Sequence, residues 1–129
     1  MIVLLAVKPG PLRDGLDALL YATPEMQLVA HANDTSATLA FCQQHPTKLI
    51  ILEVRTGERD LLENVPEMKA LHPQGQVVAL IHDEGDREPA EKYGVDIVLT
   101  TGMRAAKLKK TITAIAASLS NEEMGSTED

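Results

Sequence analysis

The sequence predicts an α/β domain: a five-stranded parallel sheet, doubly wound, with helices on both faces as a (βα)5 three-layer sandwich. Two observations carry this reading. Short aliphatic runs alternate with stretches whose apolar residues recur at helical spacing. The connections between them are short, which implies parallel strands joined by right-handed crossovers. A third observation sets the form of the sheet. Five strands are too few for a closed parallel barrel, which takes about eight, so the sheet is open. A chain of 129 residues is one domain's worth.

Each element has its own signal. Ile2 to Val7 is a continuous apolar run, the mark of a strand buried on both faces. Pro9, Gly10 and Pro11 break it, and Leu12, Leu16, Leu19 and Leu20 then define a helix that Pro24 closes. Met26 to Ala32 is a second strand, less apolar and therefore nearer an edge. Asn33 or Asp34 caps a helix carrying Ala37, Leu39, Ala40 and Phe41, which His45-Pro46 ends. Leu49 to Leu52 is wholly aliphatic and reads as the central strand. Arg55 to Asp60 is a polar loop, and Leu61, Val65 and Met68 lie on a helix made irregular by Pro66. His72 to Gly75 is a turn, and Gln76 to Ile81 a fourth strand. The polar stretch His82 to Glu88 leads to a short helix ending at Gly94, a C′ glycine. Asp96 to Leu99 is a fifth strand, and Leu108, Ile112, Ile115 and Leu119 mark a last amphipathic helix. The expected division is a domain over residues 1–119 and an acidic, disordered tail over 120–129.

Composition excludes several functions. Aromatic residues are 2% of the chain, with no Trp, which argues against a surface that stacks bases. The net charge of −7 repels phosphate backbones, so no direct nucleic-acid contact is expected. The single cysteine, Cys42, excludes an internal disulfide and a cysteine-only metal site. No apolar run reaches the ~18 residues of a membrane span. The first residues lack the basic region and cleavage site of a signal peptide. The expectation is a soluble, cytoplasmic protein without a membrane role.

In open parallel sheets, ligands gather beyond the carboxyl ends of the strands. Several stretches there and elsewhere carry a resemblance: Pro11-Leu12-Arg13-Asp14-Gly15-Leu16-Asp17-Ala18-Leu19-Leu20, Leu49 to Arg55, Ala70-Leu71-His72-Pro73 and Tyr93-Gly94-Val95-Asp96. In their order and spacing the chain, from residue 2 to about 119, resembles the receiver domains of two-component response regulators. Within them it is similar to the NarL/FixJ-type subgroup, usually fused to a helix-turn-helix. The resemblance implies the flavodoxin-like, CheY-like form of the doubly wound sheet.

It also implies a chemistry. Ordinary receivers phosphorylate themselves on an aspartate ending the third strand. An acidic pair ending the first strand holds Mg²⁺, and a Thr or Ser after the fourth strand and a Lys after the fifth contact the phosphoryl group. Those parts neutralise the charge of the transferred group. This sequence departs from the pattern throughout. Residues 1–13 hold no Asp or Glu, and the acidic pair falls on Val7 and Lys8. The phosphoacceptor position holds Glu53. The hydroxyl position falls on Ile81, with no Ser or Thr between residues 57 and 99. The lysine position falls on Thr100 or Thr101, and the next lysine is Lys107. The chain therefore reads as an atypical, pseudo-receiver that needs no catalytic residue, cofactor or metal.

Lys8 and Glu53, ending neighbouring strands, are expected to form an ion pair in the space of the metal and phosphoryl group. Glu53, one methylene longer than Asp, could instead mimic an activated state, or be a solvated strand-end acid. His82, Asp83, Glu84 and Asp86 have the residue types of a metal site, but successive loop residues point apart and a polar loop is expected. Cys42 is expected to be packing, since its place near a helix end does not favour a thiolate. Pro9-Gly10-Pro11 lacks the free N–H groups of a phosphate loop. By resemblance, the fourth helix, fifth strand and fifth helix form a partner face, with Arg104 and Lys107 on it. Lys109 and Lys110 share their helix.

The function expected is a stand-alone, phosphorylation-independent interaction module in signal transduction, with a protein partner and a possible homodimer. One competitor is a receiver that uses Glu53 as an unconventional phosphoacceptor. The other is a sensor binding a small anion in the strand-end pocket near Lys8 and Arg55.

Overall fold

The computed structural model describes residues 1–24 and 26–126, with side chains up to Leu119. The strands are β1 (Ile2–Ala6), β2 (Leu28–His31), β3 (Leu49–Val54), β4 (Gln76–Ile81) and β5 (Ile97–Thr100). The helices are α1 (Pro11–Tyr21), α2 (Thr35–Gln44), α3 (Asp60–Glu63), α4 (Val65–Leu71), α5 (Arg87–Lys92) and α6 (Ala105–Ser126). All strand pairs are parallel, in the order β2-β1-β3-β4-β5. This is the open, doubly wound sheet that the alternation of elements requires.

Side-chain alternation along the strands divides the core into two layers. Val3, Leu5 and Val7, then Leu49 and Ile51, Val78 and Leu80, and Leu99 face α1 and α6, where Leu16, Leu20, Ile112 and Leu119 meet them. Leu4 and Ala6, Ile50, Leu52 and Val54, and Val77, Ala79 and Ile81 face the other side, against Cys42, Leu62, Val65, Met68 and Ala90. Being buried on both faces is why β1 is aliphatic throughout, and β3 and β4 are aliphatic but for Glu53 and Gln76. Each large aliphatic side chain so buried contributes about 1.5–3 kcal/mol relative to exposure.

Local structure follows local chemistry. Asp34, of the two candidates, caps α2, its Oδ1 accepting from the Ala37 N–H at 2.7 Å. Pro66 does not kink one helix; it opens a second. The segment divides at Asn64 into α3 and α4, Pro66 lies in the first turn of α4, and Asn64 Nδ2 donates to the Asp60 carbonyl at 2.8 Å. The turn after α4 needs Gly75, because a Cβ there would sit 2.9 Å from the Thr47 carbonyl oxygen. Gly94 follows α5 at φ 95°, the left-handed conformation that glycine adopts freely. The second strand starts at Leu28 rather than Met26, and the fifth ends at Thr100 rather than Leu99. Asp96 is not a strand residue: its Oδ2 accepts from the Val77 N–H and from Lys69 Nζ, both at 2.7 Å. The last helix was expected to close near Leu119, with disorder from 120. Its backbone continues to Ser126, and 127–129 lie outside the described residues.

Candidate functional site

The carboxyl ends of β1, β3, β4 and β5 meet around Glu53. Its side chain is only 5% exposed, although the residue is one step from the end of its strand. Burying a carboxylate requires that its oxygens be satisfied. The Lys8 N–H donates to Oε1 at 3.0 Å. His82 Nε2 lies 2.7 Å from Oε2, and the Arg55 guanidinium stands 3.6 Å from the same oxygen. A carboxylate only accepts, so His82 carries its proton on Nε2. In the neutral imidazole Nδ1 then accepts, and Thr101 Oγ1 lies 3.1 Å from it. The result is a line of hydrogen bonds from Thr101 through His82 to Glu53, joining β5, β4 and β3.

Strand parity explains this grouping. Glu53 pairs with Leu80, and Leu80 with Leu99, all on the side of the sheet that faces α1 and α6. Continuing the same register one step along that face brings His82 opposite Thr101. Parity also explains why the expected Lys8–Glu53 ion pair does not form. Lys8 follows Leu4 and Ala6 in phase and belongs to the opposite face. Only its backbone reaches Glu53. Its ammonium, half exposed, lies 4.0 Å from Glu58, where it keeps its hydration. Glu53 is thus not a solvated strand-end acid.

The other expected positions are placed as follows. Val7 and Ile81 are core residues, buried on opposite faces of the sheet. Thr100 ends β5 beside Ile81, and Thr101, whose N–H donates to the Ile81 carbonyl at 3.0 Å, is the residue that reaches the site. The residues after His82 diverge as the loop reading expects. Asp83 Oδ1 accepts from the Gly85 N–H at 2.7 Å, and Glu84 pairs with Arg87, which holds its carboxyl below the ordinary value. Asp86, buried, accepts from Arg59 Nε at 2.9 Å, tying the loop after β3 to the loop after β4. Its second oxygen has no hydrogen-bond partner among the described residues. What the loop reading misses is His82 itself. Cys42 is buried against α4, and burial pushes its thiol above the ordinary value. Arg104 and Lys107 are exposed at the start of α6.

A cleft of about 400 Å³ adjoins the site between β1, β3 and the start of α2. Asp34, Glu53, Glu58 and Asp60 line it against the single ammonium of Lys8. Four carboxylates to one cation make a field that repels anions. Lys8 lines it and Arg55 does not, and each stands against a different glutamate. The residues present do not fit the Mg²⁺ of receiver chemistry either. The hard oxygens that metal needs at the end of the first strand are replaced by Val7 and Lys8, and both oxygens of Glu53 are engaged. Among the described residues, no group of three or more His, Cys, Asp and Glu side chains is placed to hold a metal ion. No described helix is long and apolar enough to cross a membrane.

No family model matches the chain, and no curated protein does. Solved structures do. A LuxR family DNA-binding response regulator from Silicibacter pomeroyi is 22% identical, with a TM-score of 0.71 over 88% of each chain. The response regulatory domain of the protein mrkE from Klebsiella pneumoniae is 13% identical, with a TM-score of 0.74 over 94% of this chain and 99% of the other. An orphan response regulator of H. pylori is 16% identical, with a TM-score of 0.72 over 92% and 95%. Taken with the strand order and the crossovers, these likenesses give the chain the fold of response-regulator receiver domains, the CheY-like form of the doubly wound sheet.

Proposed function

We propose that this chain is an atypical receiver that works as a phosphorylation-independent interaction module in two-component-type signalling. The observation that carries the reading is the state of Glu53. It stands where receivers carry their phosphoacceptor, and both of its oxygens are held, one by the Lys8 N–H and the other by His82. An incoming phosphoryl group would have to break that bonding, with no metal ligands at Val7 and Lys8 to offset its charge. The His82 bond instead ties β3 to β4 permanently, so the strand-end geometry is set by the chain itself. The partner in this reading is a protein in the cytoplasm, bound on the face around α5, β5 and α6, where Arg104 and Lys107 stand exposed. A second copy could use the same face.

The test is a titration of the isotopically labelled protein with Mg²⁺ and beryllofluoride, followed by amide NMR. The expected result is no shift at residues 7–11, 53–57 or 81–86. A saturable shift centred on Glu53 would overturn the reading and favour an unconventional phosphoacceptor.

A further inference from the structure

We propose that Thr101 is a self-acylation site, with His82 as its general base and Glu53 as a positioning residue. The geometry is a hydroxyl, an imidazole and a carboxylate in line: Thr101 Oγ1 to His82 Nδ1 at 3.1 Å, and His82 Nε2 to Glu53 Oε2 at 2.7 Å. Hydroxyl nucleophiles are activated by this arrangement of parts, recognised by geometry and role rather than by sequence position. The buried Glu53 fixes the tautomer. Its Oε2 must accept from Nε2, so in the neutral imidazole the lone pair of Nδ1 is aimed at the Thr101 hydroxyl and can take its proton. The Arg55 guanidinium at 3.6 Å and the Lys8 N–H hold the carboxylate in place.

The surroundings of Thr101 indicate the kind of donor. Gly102, next in the chain, has open space where a side chain would stand. The helix α6 begins at Ala105, and among the described residues the N–H groups of Arg104, Ala105 and Ala106 have no acceptor. Arg104 and Lys107 are exposed there without an ion-pair partner among the described residues, and the first turn carries no acidic residue. Cationic side chains and free N–H groups at a long helix's start favour a donor that carries negative charge on its leaving group. The matching class is an acyl phosphate. In the step, Thr101 Oγ1 attacks the acyl carbon and forms an ester bond. The bond from that carbon to the phosphate oxygen breaks, phosphate departs with the electron pair, and the hydroxyl proton passes to His82 Nδ1 and then to solvent.

The test is to incubate the full chain with acetyl phosphate and follow intact mass and peptide fragmentation. The expected product carries one acetyl group, on Thr101. Thr101→Ser retains it, and Thr101→Val, nearly the same shape, loses it. His82→Gln slows it by about 10²-fold or more. The wild-type rate rises with pH, as general-base catalysis requires. Glu53→Gln lowers the rate and changes that profile, which a purely structural role for the carboxylate would not do. Acetylation spread over lysines equally in wild type and Thr101→Val overturns the proposal, as does no acetyl on Thr101. A phosphoryl group on Glu53 overturns the phosphorylation-independent reading, whereas an unmodified Glu53 with no acetyl on Thr101 overturns this proposal alone, so the two fail distinguishably.

Discussion

Glu53 is the residue whose neighbours matter most. His82→Ala removes the hydrogen-bond partner of Oε2 and leaves that oxygen of a nearly buried carboxylate with only the longer Arg55 approach. Leaving such a group unsatisfied costs about 1–3 kcal/mol, so the urea midpoint of His82→Ala should fall accordingly. Cys42 gives a pH prediction. Burial raises its folded-state value, so the folded chain holds the thiol proton more tightly than the unfolded chain. Its contribution is fully present below the unfolded thiol's value and fades as pH rises through the folded one. Urea melts from about pH 8.5 upward should show stability declining, with a flatter decline in Cys42→Ala. At this scale the sequence was only half legible. The importance of Glu53 is readable from its place after four aliphatic residues. Its partner is not readable from charge alone, which selects Lys8. Parity counted along Val3, Leu5 and Val7 puts Lys8 on the wrong face, and the same count along β4 and β5 brings His82 and Thr101 to Glu53's side.

Elements are held by a few ties that can be cut singly. Asp34→Ala removes the cap of α2 and should cost about 1 kcal/mol in thermal or urea unfolding. Lys69 clamps the end of α4 to the entry of β5 through Asp96, which also holds the first buried N–H of β4. Asp96→Ala strands the Val77 N–H, and the expected loss is about 1–3 kcal/mol, with faster amide exchange at Val77 than in the wild type. The elements themselves were legible because period and punctuation agree: aliphatic runs for β1, β3 and β4, Pro9-Gly10-Pro11 for the break after β1, Gly94 for the end of α5. The division between α3 and α4 was not. Proline announces a disturbance in a helical pattern but not whether it kinks one helix or begins another, and that was decided by the Asn64 side chain bonding back to Asp60.

The molecule as a whole was the most legible level, because the crossover rule leaves few ways to arrange five alternating strands and helices. The sheet order β2-β1-β3-β4-β5 places β1 inside, between two neighbours. The register Leu4↔Ile50 has a consequence for how the chain is made. Synthesis releases the aliphatic run Ile2–Ala6 ahead of the other strands, yet the central strand it pairs with emerges more than forty residues later. Until then its apolar side chains have β2, α1 and α2 to pack on, and its edge towards β3 stays open. Ribosome-bound chains arrested before residue 49 should therefore recruit hydrophobic-binding chaperones, and chains arrested far enough past Ile81 for β4 to clear the tunnel should release them. Crosslinking of stalled chains to such a chaperone would measure the point of release, and so the moment at which the inside of the sheet closes.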